Sequence, residues 1–132
     1  MKELAARISG AELDVLEVLW QAEGPMPIAD VRGALEQSHS WDGSTVKTLL
    51  RRLCEKKAVE AEKREVFYYR PLLSRREYQI WSTRSLIDKV YLGSARSLVA
   101  ALVERSQLSR EDLAELRAVL YPESANKKSI GK

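Results

Sequence analysis

Residues 41–71 read WDGSTVKTLLRRLCEKKAVEAEKREVFYYRP, and the hydrophobic period changes inside this segment from that of a helix to that of strands. Val46, Leu49, Leu50 and Leu53 stand at i, i+3, i+4 and i+7, the spacing of one apolar helix face. Asp42 or Ser44 can cap such a helix, which is expected over 44–57. Its opposite face carries Thr45, Lys47, Thr48, Arg51, Arg52 and Glu55. The period then shortens. Ala58–Ala61 and Val66–Arg70 are β-branched or aromatic runs, separated by Glu62-Lys63-Arg64-Glu65 and closed by Pro71. That pattern predicts a β-hairpin with a charged tip.

Upstream, Ser9-Gly-Ala-Glu12 is a capping box in front of Leu13, Leu16, Val18, Leu19 and Trp20. A helix is expected over 9–22, stopped at Gly24. Met26-Pro27-Ile28 is a short extended piece. Ile28, Val31 and Leu35 predict a second helix over 28–37. Three helices and a hairpin within about 70 residues are the order of a winged helix, whose third helix enters the DNA major groove.

Downstream, Ser74-Arg-Arg-Glu77 is another capping box, and a long helix is expected to about Leu92, ended by Gly93. Its Tyr78, Ile80, Trp81, Leu86, Ile87, Val90, Tyr91 and Leu92 do not fit one narrow stripe, so it needs several neighbours. Ser94 starts a helix with Leu98, Val99 and Leu102. Ser109 opens a last helix with Leu113, Leu116, Val119 and Leu120, and Pro122 ends it. Residues 122–132 are polar and read as a flexible tail. The expected division is a DNA-binding domain over 1–71 and a helical dimerisation domain over 72–121. Three helices totalling under 50 residues are small for a core of their own. Their apolar residues, Tyr78, Trp81, Ile87, Tyr91, Leu98, Leu102, Leu113, Leu116 and Leu120, are expected to meet a second copy.

The chain has 132 residues and a net charge of +3. That is room for one ordinary domain or a small domain with an appendage, and too little for a dehydrogenase, kinase or (β/α)₈ barrel. The charge is unevenly placed. Residues 1–43 hold three Lys/Arg against eight acids, whereas residues 44–57 hold five against Glu55 alone. A basic segment after an acidic one indicates a local contact surface, although a solvated helix face gives the same pattern. Arg bonds bidentately to guanine, and Thr and Lys serve phosphates and thymine methyls. Ser44, Arg51 and Arg64 join the candidate DNA contacts on this physical ground.

Cys54 and His39 are the only residues of their kinds. They cannot make a disulfide or, alone, a zinc site. No Gly-rich phosphate loop and no nucleophile with an evident base is present, so no enzyme and no cofactor is indicated. Cys54 is a small apolar residue of the third helix or, with its Lys/Arg neighbours lowering its pKa, a thiol sensor. Trp20 and Trp41 read as core plugs. No apolar run is long enough to cross a membrane and the first ten residues lack a secretory h-region, so a cytoplasmic protein is expected.

Several motifs together resemble the penicillinase and methicillin-resistance repressor family, which includes the BlaI, MecI and copper-responsive CopY groups. They are Ile8-Ser9-x₂-Glu12-x₂-Val15-Leu16-x₂-Leu19-Trp20; Thr45-Val46-x-Thr48-Leu49-Leu50-x-Arg52-Leu53-x₂-Lys56-Lys57; Tyr68-Tyr69; Ser97-Leu98-Val99; and Glu111-x₃-Glu115-Leu116-Arg117-x₂-Leu120. The resemblance covers about residues 8–121. It implies a mainly α protein with an N-terminal winged helix and C-terminal dimerisation helices. It also implies a homodimeric repressor on an inverted-repeat, double-stranded DNA operator. On that basis the DNA contacts fall on Thr45, Lys47, Thr48 and Arg52. Half-sites about 10 bp apart, or a multiple of that, follow from such a dimer.

In the antibiotic-resistance members a membrane sensor-transducer with a metalloprotease domain triggers cleavage of the dimerisation region. The family's cleaved Asn-Phe pair is replaced here by Ala101-Leu102, the corresponding candidate switch. The copper branch carries a C-terminal Cys-x-Cys, and this chain has no cysteine after Cys54. The competing reading is a winged-helix protein-interaction adaptor without operator specificity.

Overall fold

A computed structural model describes residues 2–105 and 107–120 of the chain. In order these form α1 (Lys2–Ala6), α2 (Gly10–Gln21), β1 (Met26–Pro27), α3 (Ile28–His39), α4 (Gly43–Glu55), β2 (Val59–Lys63) and β3 (Phe67–Pro71). Three helices follow: α5 (Arg75–Val90), α6 (Ala95–Glu104) and α7 (Arg110–Leu120). The chain divides into two compact units, residues 1–85 and 86–132, with the division inside α5. The expected tail over 122–132 lies outside the described residues.

Local rules account for most element starts. The capping box of α2 is formed: the Glu12 N–H donates to Ser9 Oγ at 3.1 Å, and the Ser9 N–H donates to Glu12 Oε1 at 2.9 Å. Ser74 and Glu77 do the same at α5, with bonds of 2.9 and 3.0 Å. Ser109 and Asp112 do so at α7. Each box satisfies two N–H groups that the helix itself cannot.

The core of the first unit is where the apolar stripes of α2, α3 and α4 meet the sheet. Val15, Leu16 and Leu19 face Val31, Leu35, Val46, Leu49, Leu50 and Leu53, and Ala58, Val59, Tyr69 and Leu73 close it. The short extended piece joins the hairpin as a third strand. Met26 pairs with Tyr69 and Pro27 with Tyr68, giving the antiparallel order β1-β3-β2. Trp20 and Trp41 pack against this core, and the Trp20 indole N–H donates to the Leu73 carbonyl at 2.8 Å.

Two features depart from the sequence reading. Helix α1 is additional; the 1–8 segment has too little periodicity to announce it, yet Ala5 and Ile8 are buried. Helix α4 also ends at Glu55, not Lys57. The Ala58 N–H donates to the Leu53 carbonyl and the Lys57 N–H to the Cys54 carbonyl, both at 3.0 Å. Lys57 takes φ +65°, so the helix closes in a Schellman-type turn with a lysine where glycine is favoured. Lys57→Gly is therefore expected to raise stability by about 0.5–1 kcal/mol. A lowered urea midpoint would contradict this.

The second unit is organised differently. Among its described residues no side chain is buried. Val90, Leu92, Val99, Leu102, Val103, Leu113, Leu116 and Val119 are all exposed, Val119 to 74%. The end of α5 with α6 and α7, in which no described side chain is buried, is not stable by hydrophobic burial alone.

Candidate nucleic-acid interface

The candidate surface is built on α4. Asp42 Oδ1 accepts the Thr45 N–H at 2.9 Å and the Ser44 hydroxyl at 2.7 Å, so the helix starts where Asp42 sits. The Ser44 hydroxyl and the Thr45 N–H hold the exposed Asp42 carboxyl below its ordinary pKa. With Val46, Leu49, Leu50 and Leu53 buried, helical geometry turns Ser44, Lys47, Thr48, Arg51, Arg52 and Glu55 away from the core. Lys47, Arg51 and Arg52 are exposed, while Thr45 and Thr48 are half-buried.

The cations of this unit differ in what they already hold. Arg51 pairs with Glu55 one turn on, at 3.2 Å. Arg64, at the tip of the wing, pairs with Glu62 at 3.1 Å and lies 4.5 Å from the centre of the Tyr68 ring. Arg70 pairs with Glu60, and Arg75 with Glu17. Lys47 and Arg52 enter no ion pair among the described residues. A phosphate or base edge can take these two without first displacing a carboxylate. Exposed pairs such as Arg51–Glu55 are weak, about 0.3–0.5 kcal/mol, so Arg51 and Arg64 can exchange partners.

Lys56 is a different case, and sequence reasoning missed it. It belongs to the basic run 44–57, yet its ammonium donates to Glu12 Oε1 at 2.6 Å and to the Arg7 carbonyl at 2.7 Å. Glu12 is 1% exposed. Burial pushes the Glu12 carboxyl up, but Lys56 and Ser9 together outweigh it and hold the pKa below the ordinary value. The pair ties the C-terminal end of α4 to the start of α2. Nothing local announces it, because the partners are 44 residues apart.

Cys54 is half-buried. Burial and the Glu55 carboxylate push its thiol up. That is the opposite of the lowering that would favour a thiol sensor, and it supports Cys54 as a small apolar residue of the helix. His39 packs at a tilt of 37° on Trp41, with ring centres 4.4 Å apart, and its Nε2 lies 3.2 Å from Asp14 Oδ2. It anchors the loop before α4. Among the described residues no group of three His, Cys, Asp or Glu gathers to hold a metal, and no helix is long and apolar enough to cross a membrane.

The apolar residues expected at a dimer contact divide between the units. Tyr78 packs on the first unit's core, its ring centre 6.1 Å from Trp20 and 5.7 Å from Trp81. Ile87, Tyr91 and Leu98 are half-buried within the second unit, and Leu102, Leu113 and Leu116 are exposed. Ala101 and Leu102 lie inside α6, where the Ala101 carbonyl accepts the Arg105 N–H at 3.1 Å. Leu120 ends α7; its side chain lies outside the described residues.

A helix-turn-helix with a hairpin wing, presenting hydroxyls and unpaired cations on α4, defines a winged-helix DNA-binding protein. The chain belongs to the penicillinase repressor family, whose sequence profile matches residues 8–121. It is 32% identical over 123 residues to the penicillinase repressor of Bacillus licheniformis, covering 92% of this chain and 95% of that one. It is 30% identical over 117 residues to the methicillin resistance regulatory protein MecI of Mammaliicoccus sciuri, covering 86% and 92%. The solution structure of the DNA-binding domain of the repressor BlaI superposes with a TM-score of 0.51 at 33% identity, over 55% of this chain and 88% of that domain. The protein is a DNA-binding transcriptional repressor.

Proposed function

We propose that the protein represses transcription in the cytoplasm as a homodimer bound to an inverted-repeat operator. In this reading residues 1–71 bind DNA and residues 72–121 dimerise, with Tyr78 docking the start of α5 on the winged helix. The observation that carries the reading is that no side chain among the second unit's described residues is buried. Its exposed apolar residues need a partner, and a second copy supplies a second recognition helix at the same time. Thr45, Lys47, Thr48 and Arg52 make the central DNA contacts. Ser44, Arg51 and Arg64 contribute at the edges, Arg51 and Arg64 after exchanging their carboxylates for phosphates. Release follows from a signal that breaks the dimerisation region, by a membrane sensor-transducer protease acting in α6 at Ala101-Leu102 or near it. The helical backbone there has to unwind before a protease can bind it.

Footprinting on the DNA upstream of the protein's own gene, against a scrambled duplex of equal length, tests this. Arg52→Ala is expected to cost about 1–3 kcal/mol of operator affinity and to relax the preference for the operator. Thr48→Ala is expected to act in the same direction and more weakly. Binding that ignores both substitutions and both sequences would transfer the winged helix to protein contacts.

A further inference from the structure

Several cations of the first unit lie off the α4 face, and one of them bears on how α4 is placed. Arg32 is exposed on α3, with Glu36 one turn away on the same helix. It pairs neither with Glu36 nor with any other acid among the described residues. Its guanidinium lies instead across Gly43, the first residue of α4. A Cβ built at Gly43 would stand only 2.7 Å from Arg32 Cζ and Nε, closer than real Cβ atoms approach. Glycine is what lets the planar guanidinium rest there.

This position has a consequence for DNA. Gly43 and Lys47 are four residues apart, so they share one edge of α4, just over one turn or about 6 Å apart along its axis. Arg32 thus places a second unpaired cation in line with Lys47, at the end of α4 nearest α3. In a helix-turn-helix the recognition helix enters the groove while the preceding helix crosses the backbone. The preceding helix here is α3, and Arg32 stands where it meets α4. A backbone contact there carries no base information; it fixes how the recognition helix sits on the duplex.

We propose that Arg32, seated on Gly43, contacts the DNA phosphate backbone and positions α4 in the groove. The proposal rests on the DNA-binding reading and adds to it a residue outside α4 and a glycine that seats it.

The test is binding of the full chain to the footprinted upstream duplex and to its scrambled counterpart, titrated from about 50 to about 200 mM salt. Losing one neutralised phosphate per protomer lowers the salt slope by about 0.9 for each half-site. For a single half-site duplex, Arg32→Ala is therefore expected to weaken binding, with a deficit that narrows about 3.5-fold across that range. Both duplexes should weaken alike, and Arg32→Lys should restore the slope. Gly43→Ala keeps every charge but displaces the guanidinium. It is expected to weaken binding in the wild-type background and to have no further effect beside Arg32→Ala, with the urea midpoint not lowered. An unchanged slope in Arg32→Ala, or an equal Gly43→Ala effect in both backgrounds, would overturn the proposal. Absence of any operator preference in the wild type would count against the repressor reading instead. The Arg32 result is still read then, because a backbone contact acts on either duplex.

Discussion

Leu116→Asp is expected to make the protein monomeric and to weaken operator binding by about 10²–10⁴-fold. Joining two half-site binders turns the second contact into an intramolecular one, and a gain of this size needs no new DNA contact. Leu116 is exposed on α7, beside Leu113 and Val119 on the same helix. An aspartate there costs an isolated chain little, because it meets water. In an apolar dimer contact it buries an unpaired charge, which costs several kcal/mol. Sedimentation and footprinting of the same sample separate the two effects. All three tryptophans lie within residues 1–85, so an unchanged fluorescence spectrum would show the winged helix intact. A dimeric Leu116→Asp protein with normal operator affinity would remove α7 from the dimer contact.

Lys56→Met is expected to destabilise the winged helix by about 2–3 kcal/mol at neutral pH. Removing one partner of a fully buried pair costs about 3–5 kcal/mol, and Lys56 keeps 23% of its side chain exposed, so the cost falls at or just below the lower end. The pH dependence identifies the cause. In the wild type the Glu12 carboxyl is held below its ordinary value. Its stabilising contribution is therefore present above the ordinary carboxylate range and is lost as pH falls through the lowered value. Without Lys56 the desolvation of Glu12 has less to oppose it, and its pKa moves up. Protonation then relieves the variant at a pH where the wild type is still ionised. The difference in urea midpoint between the two proteins should be largest near neutrality and shrink below about pH 5. A deficit constant from pH 4 to 7 would mean that packing, and not the charge on Glu12, sets the cost.

Much of the winged helix was legible because its signals are local. The Val46–Leu53 spacing located α4 and its polar face, and four serines marked helix starts. The dipeptide Met26-Pro27 was readable as extended, but its pairing with β3 was not. The end of α4 was misplaced by two residues, since a lysine occupies the left-handed position at which a glycine would have marked the turn. The α4 face was legible as a list of residues but not as a set of available charges. Lys56 and Arg51 look alike in the sequence; one is held by a buried carboxylate and the other by an exposed one.

Helix-helix-helix-hairpin order, the caps, the amphipathic recognition helix and membership of the repressor family all follow from the order of residues along the chain. These depend on neighbours within about one or two helical turns, where spacing is a physical distance. Which cations are unpaired, the clamp of Glu12 on Lys56 across 44 residues, the seat of Arg32 on Gly43 and the packing of Tyr78 on Trp20 emerge only in the folded chain. Those contacts join separate elements, and their geometry is set by how the elements pack around the shared core.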